Sequence, residues 1–403
     1  MRPPLGSVLN QTLLILTAGF WQVPVICKAK AMGLRVVVTD QNPSAPALRY
    51  ADFAEVVSAR DRDAVLAVAR RHRVNGVIAE GTDVAVGVAA FVAERMGLPG
   101  ITLDTAAAAT NKFEMRERCR IAGIPTPKYR RVSSAAEAAD AAEEIGLPVV
   151  VKPLDGQSSR GVAKLDGAAE VRAWFPRASA VSSDGTVMVE EMMLGTESSA
   201  EGFVADGKTF VFGICEKFKC PPPYSFDLRL VYPAAFPAAV IDEIVALNER
   251  VVRAVGIDMG ITHAEYIVTA GGPRLLEIAA RGCGSWVATK LIPAMTGVDL
   301  IGARIRQALG LDVQIVPTRS LAGLLEFLML PLGTIRSLDG VDEARAVPGV
   351  VDAGFFVKAG DRITRPENGT QRPGFLLAVG DDREALMRVS HEARARIRYE
   401  MLP

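Results

Sequence analysis

Ile261-Thr262-His263-Ala264-Glu265-Tyr266-Ile267-Val268-Thr269, then Ala270-Gly271-Gly272-Pro273, then Arg274-Leu275-Leu276-Glu277-Ile278-Ala279: two apolar, strand-like runs flank a turn-forming tetrapeptide. A hairpin centred on Gly271 sets Glu265 opposite Glu277, with both side chains on one face. Like charges directly across a ladder are destabilising, so this pattern calls for a compensating cation. Hard divalent ions take carboxylate oxygens, and Mg2+ typically binds one or two carboxylates plus substrate phosphates. Arg281 follows Glu277 by four residues, and an extended backbone keeps it on the same face. The competing reading is two solvated glutamates on an edge hairpin.

A chain of 403 residues is too long for one compact core and suits two to four domains. Lys+Arg and Asp+Glu both number 46, so no net basic field points to nucleic acid or an anionic membrane as the main partner. The five cysteines, Cys27, Cys119, Cys215, Cys220 and Cys283, lack metal-site spacing and read as free thiols in a reducing compartment. Cys215 and Cys220 could be a redox pair or two incidental thiols. The apolar runs at Thr12–Thr17 and Val23–Cys27 are too short and broken for a membrane span or a signal peptide. The expected home is the cytoplasm.

Outward from the hairpin, the first hundred residues alternate strand and helix patterns. Thr12–Leu16, Leu34–Thr39 and Gly76–Ala79 read as strands; Val25–Met32, Arg62–His72 and Val84–Met96 read as helices. This order implies a parallel sheet covered by helices, with ligand-binding loops at Ala18-Gly19-Phe20 and Glu80-Gly81-Thr82-Asp83. No Gly-x-Gly-x-x-Gly follows the first strand, and Asp40 reads either as a ribose acid or as a loop acid. Thr110–Gly123 and Ser134–Ile145 read as helices, Pro148–Lys152 and Val187–Glu191 as strands, and Pro237–Val255 as a long helix. From about residue 315, strands Leu321–Leu328 and Gly354–Lys358 and a helix Arg383–Ile397 suggest a separate α+β unit.

Lys152 ends a buried strand beside the loop Asp155-Gly156-Gln157-Ser158-Ser159-Arg160-Gly161. A strand-end lysine and a Gly/Ser loop can meet phosphate oxygens together, and the loop can close as a lid. Taken alone, Lys152 and Lys112 are equally readable as surface lysines. Val187-Met188-Val189-Glu190-Glu191-Met192-Met193-Leu194-Gly195-Thr196-Glu197 combines a strand, an apolar hinge suited to a flat base, and an acid suited to ribose hydroxyls.

In order along the chain stand Asn-Lys-Phe-x-Met-Arg (111–116), Val-Val-Lys-Pro (150–153), Gly-Gln-Ser-Ser-Arg-Gly-Val (156–162), Val-Glu-Glu-x-x-x-Gly-x-Glu (189–197), His-x-Glu (263–265) and Glu-Ile-x-x-Arg (277–281). This set resembles the ATP-grasp superfamily of carboxylate–amine ligases. Glu-Gly-Thr-Asp (80–83), the His-Ala-Glu-Tyr hairpin and Glu-Ile-Ala-Ala-Arg-Gly make it most like the L-amino-acid ligase branch. The resemblance implies a mixed α/β and α+β chain in three parts. These are an N-terminal parallel-sheet domain (1–109), a two-lobed nucleotide-binding core (110–312, mobile lobe about 125–193) and a C-terminal α+β domain (313–403).

The resemblance also implies roles. Lys112 and Lys152 would contact ATP phosphates, and Ser158, Ser159 and Gly161 would form the mobile flap. Glu190, Glu191 and Met193 would form the adenine hinge, with Glu197 the ribose acid. Glu265 and Glu277 would hold Mg2+, or Mn2+ in its place, and Arg281 would steady the transferred phosphate or tetrahedral intermediate. Many members carry Asn where this chain has Ala279, which bears on the geometry of one metal. His263 reads either as a group orienting a substrate oxygen or as a structural histidine. Glu216, Lys217, Tyr224, Ser285 and Trp286 are candidates for the substrate wall.

The implied reaction joins a small carboxylate to an amine through an acyl phosphate, with ADP and phosphate released and no protein nucleophile. Dipeptide synthesis by a homodimer is the implied setting, with no nucleic-acid or membrane partner. The alternatives are an enzyme that activates bicarbonate, as biotin-dependent and purine-pathway carboxylating enzymes do, and a non-catalytic nucleotide-binding subunit.

Overall fold

The computed structural model describes residues 8–402. Part of the reading of the N-terminus as no signal peptide falls on residues 1–7, outside those described. Thr12–Leu16 (β1), Arg35–Asp40 (β2), Phe53–Val56 (β3) and Gly76–Ile78 (β4) form a sheet in the order β3-β2-β1-β4, all parallel. Every residue of β1 is buried, which explains its unbroken Thr-Leu-Leu-Ile-Leu run. Helices Val23–Ala31, Arg62–Arg71 and Val86–Met96 cover it. The β3 strand escapes sequence reading because it is an exposed edge strand of four residues.

Tyr129–Val132 (β5), Val149–Pro153 (β6), Ala163–Leu165 (β7) and Val187–Glu191 (β8) make a second, antiparallel sheet in the order β5-β8-β6-β7. Helices Ala135–Ile145 and Ala168–Ser179 pack on one face around Val149, Val151, Val171 and Phe175. The Gly/Ser loop is the connection between β6 and β7.

The third sheet is eight-stranded and antiparallel. Its strands are Thr196–Ala205 (β9), Lys208–Lys219 (β10), Asp227–Tyr232 (β11), Gly260–Thr269 (β12), Gly272–Ala279 (β13), Ala322–Leu328 (β14), Val350–Phe355 (β16) and Gly374–Gly380 (β18), in the order β13-β12-β9-β10-β11-β14-β18-β16. Gly333–Asp339 (β15), Arg362–Ile363 (β17) and Arg398–Met401 (β19) form a small separate sheet. Strand β14 of the expected C-terminal region pairs with β11 over Arg229–Tyr232, so strands of that region continue the central sheet. One hydrophobic core runs from Leu13 and Ile15 through Phe203 and Leu230 to Leu325 and Leu377. A further difference is that Gly354–Lys358 is not one strand; β16 ends at Phe355.

The helix expected over Thr110–Gly123 is two helices, Leu103–Thr110 and Lys112–Ile121, divided at Asn111. Asn111 Oδ1 accepts from the backbone N–H groups of Phe113 (2.9 Å) and Glu114 (3.2 Å), an N-cap that competes with helix continuation. Lys112 thereby becomes the first residue of a new helix.

Candidate active site

The acidic hairpin is tighter than expected, and its register is reached differently. Thr269 pairs with Gly272, so the turn is Ala270-Gly271 alone, and Gly272 and Pro273 belong to β13. That turn by itself would put Glu265 opposite Leu276. Tyr266 pairs with Leu275 and Glu265 with Glu277, leaving Leu276 as a β-bulge that shifts the ladder by one residue. The Leu276 carbonyl, out of the ladder, accepts from Arg116 Nη2 at 2.5 Å.

Strand parity decides which side chains join the two acids. Successive residues point to opposite faces, so Glu197, Ser199 and Glu201 of β9, Cys215, Lys217 and Lys219 of β10, and His263 and Glu265 of β12 share one face, with register Ser199↔Glu265 and Glu201↔His263. Glu216 falls on the other face and pairs with Arg383 Nη2 at 2.8 Å. It is thus corrected from a substrate-wall residue to an anchor of helix Arg383–Arg396.

A cavity of about 760 Å3, open mouth included, lies between the second and third sheets. Its walls include Lys112, Lys152, Ser158, Ser159, Glu190–Met193, Glu197, Glu265 and Glu277, which brings together nearly all the residues singled out for the nucleotide. Gly161 does not line it; its carbonyl accepts from Trp174 Nε1 at 3.0 Å behind the flap. Gly195 is required by close approach, because a Cβ there would lie 2.2 Å from the Val268 carbonyl oxygen.

The charges in this cavity are paired with one another. Glu190 is buried and takes Arg116 Nε at 2.7 Å and Lys152 Nζ. Burial opposes its charge, but these two cations hold its pKa below the usual carboxylate range. The Glu190 side chain is therefore committed to positioning Lys152, and only its backbone remains for a hinge. Glu265 contacts Lys217 Nζ and His263 Nε2, the latter at 3.2 Å. Lys112 Nζ lies 3.4 Å from Glu277 and donates to the Gly156 carbonyl at 2.8 Å. Lys217 is buried among Glu197, Asp227 and Glu265, so it backs the acid side of this cavity and forms no separate substrate wall.

Two facing carboxylates with an array of cations that neutralise them match the donor chemistry of Mg2+ with phosphate oxygens. His263, opposite Ala279 in the ladder, also bonds through Nδ1 to Glu201 Oε1 at 2.8 Å. Burial disfavours its charge, yet Cys283 and Glu201 raise its pKa well above the usual value. Glu201, missed in the sequence, was legible from the alternation Glu197-x-Ser199-x-Glu201.

Arg281 sits beyond the strand end, where Nε and Nη2 grip Asp83 at 2.6 and 2.8 Å. It borders both a crevice shared with Lys112 and Glu277 and a second cavity of about 1410 Å3. Ser285, the flap residues Gln157 and Ser158, Arg372 and both N-terminal loops line this second cavity. The Glu80-Gly81-Thr82-Asp83 loop carries it: Glu80 Oε2 accepts from Gly282 N–H at 2.9 Å, and the Asp83 N–H donates to Gln157 Oε1 at 2.9 Å. Asp40, the last residue of β2, ties down the first loop by accepting from Ala18 N–H at 2.8 Å. Tyr224 lies outside both cavities, bonded to Glu367 at 2.8 Å, and is corrected as a substrate-wall residue. Cys215 and Cys220 are not joined; Cys215 contacts Ser199 Oγ, and Cys220 Sγ accepts from Phe226 N–H.

Residues 145–290 match the family model described as ATP-grasp domain. The chain contains an ATP-grasp domain. Residues 326–401 of this ATP-grasp chain match a second model, L-amino acid ligase C-terminal domain 2. The crystal structure of L-amino acid ligase from Bacillus licheniformis superposes with a TM-score of 0.84 at 22% identity, covering 98% of this chain and all of that one. That of phosphoribosylglycinamide synthetase from Anaerococcus prevotii gives 0.77 at 18%, with the same coverage. Among curated relatives, an uncharacterized protein, y4rH, of Sinorhizobium fredii is 30% identical over 77% of this chain. The match spans 65% of that relative's own length. The formate-dependent phosphoribosylglycinamide formyltransferase of Ignicoccus hospitalis is 29% identical over 98% of both chains. Among the described residues no helix is long and apolar enough to cross a membrane.

Proposed function

We propose that this ATP-grasp chain is an ATP- and Mg2+-dependent ligase that joins a carboxylate to an amine and releases ADP and phosphate. The observation that carries this reading is the meeting of Glu265 and Glu277 beside Lys112 and Lys152 in one cavity. A second cavity opens next to it at Arg281.

Lys152, held by Glu190, and Lys112, held by its helix start and Gly156, meet the nucleotide phosphates. Glu265 and Glu277 would hold Mg2+, which when bound neutralises phosphate charge and orients the transferred group. The substrate carboxylate attacks the γ-phosphate, and the resulting acyl phosphate is attacked by the amine, with phosphate leaving. The protein contributes positioning and charge stabilisation more than covalent chemistry. Arg281, oriented by Asp83, stabilises the oxygens that gain charge. The flap, with Ser158 facing both cavities, excludes water from the acyl phosphate.

The match to L-amino acid ligase C-terminal domain 2 supports amino acids as the substrates and a dipeptide as the product. A homodimer is the assembly we propose. The test is phosphate release from ATP and Mg2+ against a matrix of amino-acid pairs, with products read by mass. A pair-dependent product at the summed mass minus water supports the reading. Phosphate release with bicarbonate alone, and silence with every amine, transfers the assignment to a carboxylating enzyme.

A further inference from the structure

Beside the second cavity lies a third, of about 1100 Å3 with its open mouth, whose walls are largely aromatic and aliphatic. Phe20 and Phe356 line both, so the two spaces adjoin across these rings. Trp286 and Phe375 form the inner wall, with ring centroids 4.2 Å apart; Phe356 lies 5.9 Å from Trp286 and 5.3 Å from Phe375. Trp21 meets Trp286 edge-on at 4.5 Å. Two of the chain's three tryptophans thus gather here.

Two observations separate this cluster from an ordinary core. Phe20 is 61% exposed, on a loop that follows β1 at the ligand-binding edge of the sheet. Ser285 and Trp286 are consecutive non-glycine residues in the left-handed region, with φ of 56° and 61°. Their strained backbone sends Ser285 to the second cavity and Trp286 to the third. Thr17, a β-branched residue at φ 70°, lines the second cavity as well. Strained residues thus stand in the walls of both cavities.

We propose that the aromatic chamber is a side-chain subsite and that one of the two substrates is an amino acid with an aromatic side chain. The polar end of that substrate lies in the second cavity near Arg281, and its ring enters between Phe20 and Phe356. Ring faces and edges favour another ring in such a setting. Arg345 and Asp352, paired at 3.1 Å, line the same cavity and offer polar partners to a ring substituent. This inference rests on the ligase reading.

The experiment varies one member of each amino-acid pair across glycine, alanine, leucine, phenylalanine, tyrosine, tryptophan, aspartate and lysine. The kcat/KM for aromatic members is expected to exceed that for alanine by at least about tenfold. Phe20→Ala, at an exposed position that folding does not need, should remove most of that preference with the KM for ATP unchanged; Phe356→Ala should do the same. Equal kcat/KM for alanine and phenylalanine, or a preference that neither variant alters, overturns the subsite. A second readout does not need turnover: L-phenylalanine, unlike L-alanine, should quench tryptophan fluorescence in the wild type and not in Phe20→Ala. Quenching without turnover of any pair sinks the ligase reading and keeps the chamber. Turnover with neither preference nor quenching sinks the chamber alone, and absence of both turnover and quenching sinks the two together.

Discussion

Glu265 faces Glu277 across the β12–β13 ladder because one residue, Leu276, is extruded between the turn and the acids. A regular ladder from the Ala270-Gly271 turn would send Glu277 to the far face and leave Glu265 opposite an apolar side chain. The bulged Leu276 carbonyl is not left unpaired, since Arg116 donates to it.

Glu277→Ala should lower kcat/KM at least about a hundredfold, the scale of losing one preorganised charge-stabilising group. Glu277 is partly exposed and its contact with Lys112 is 3.4 Å, so stability should change by less than about 1 kcal/mol. Phosphate-release kinetics together with thermal unfolding check both parts. Near-wild-type kinetics would remove the metal-hairpin argument.

Arg116→Ala attacks a fully buried cation that ties Glu190 to the bulge. Breaking a buried ion pair by removing one partner costs about 3–5 kcal/mol. Urea unfolding should show a loss of that order. A loss under about 1 kcal/mol would mean that Glu190 and the Leu276 carbonyl find other partners.

Asp227 gives a signed pH dependence. Burial opposes its charge, but Lys217 and then Lys219 pull its pKa down to about 2 from the usual value near 3.8. A depressed folded-state pKa contributes stability that is complete above the unfolded pKa and lost as pH falls through the folded one. The contribution, about 2 kcal/mol, should vanish between about pH 4 and pH 2. Unfolding free energies for wild type and Asp227→Asn over that range should converge as pH falls; parallel curves would contradict it.

Cys119 and Cys215 should resist alkylation at pH 8 in the native protein. Burial pushes the two thiols up to about 11 and about 12, with only partial relief from Arg116 and Lys217 respectively. Cys27 is exposed and should react first. Mass mapping after brief iodoacetamide treatment reads this directly, and early labelling of Cys215 would refute the buried placement.

Local patterns were legible and non-local ones were not. That β1, β2 and β4 are parallel followed from the alternation of strand and helix patterns. The pairing of Glu265 with Glu277 was anticipated from a four-residue turn and a regular ladder; the molecule reaches it with a two-residue turn and a bulge. Asn111 was read as helix interior because its cap depends on where the chain turns. β9 reads as polar because Glu197, Ser199 and Glu201 share the sheet face that carries His263 and Glu265, so its period-2 pattern carries the wrong sign of polarity for a buried strand. Strand parity alone separates Lys217 from Glu216. That β14 joins β11 is invisible locally, since nothing in Ala322–Leu328 names its partner strand.

The most direct test of the central claim uses the carboxylate substrate labelled with 18O in both oxygens, with unlabelled ATP, Mg2+ and amine. Transfer through an acyl phosphate places one 18O in each released phosphate and leaves the other in the product amide. Phosphate that carries no 18O, with product still formed, would contradict the account.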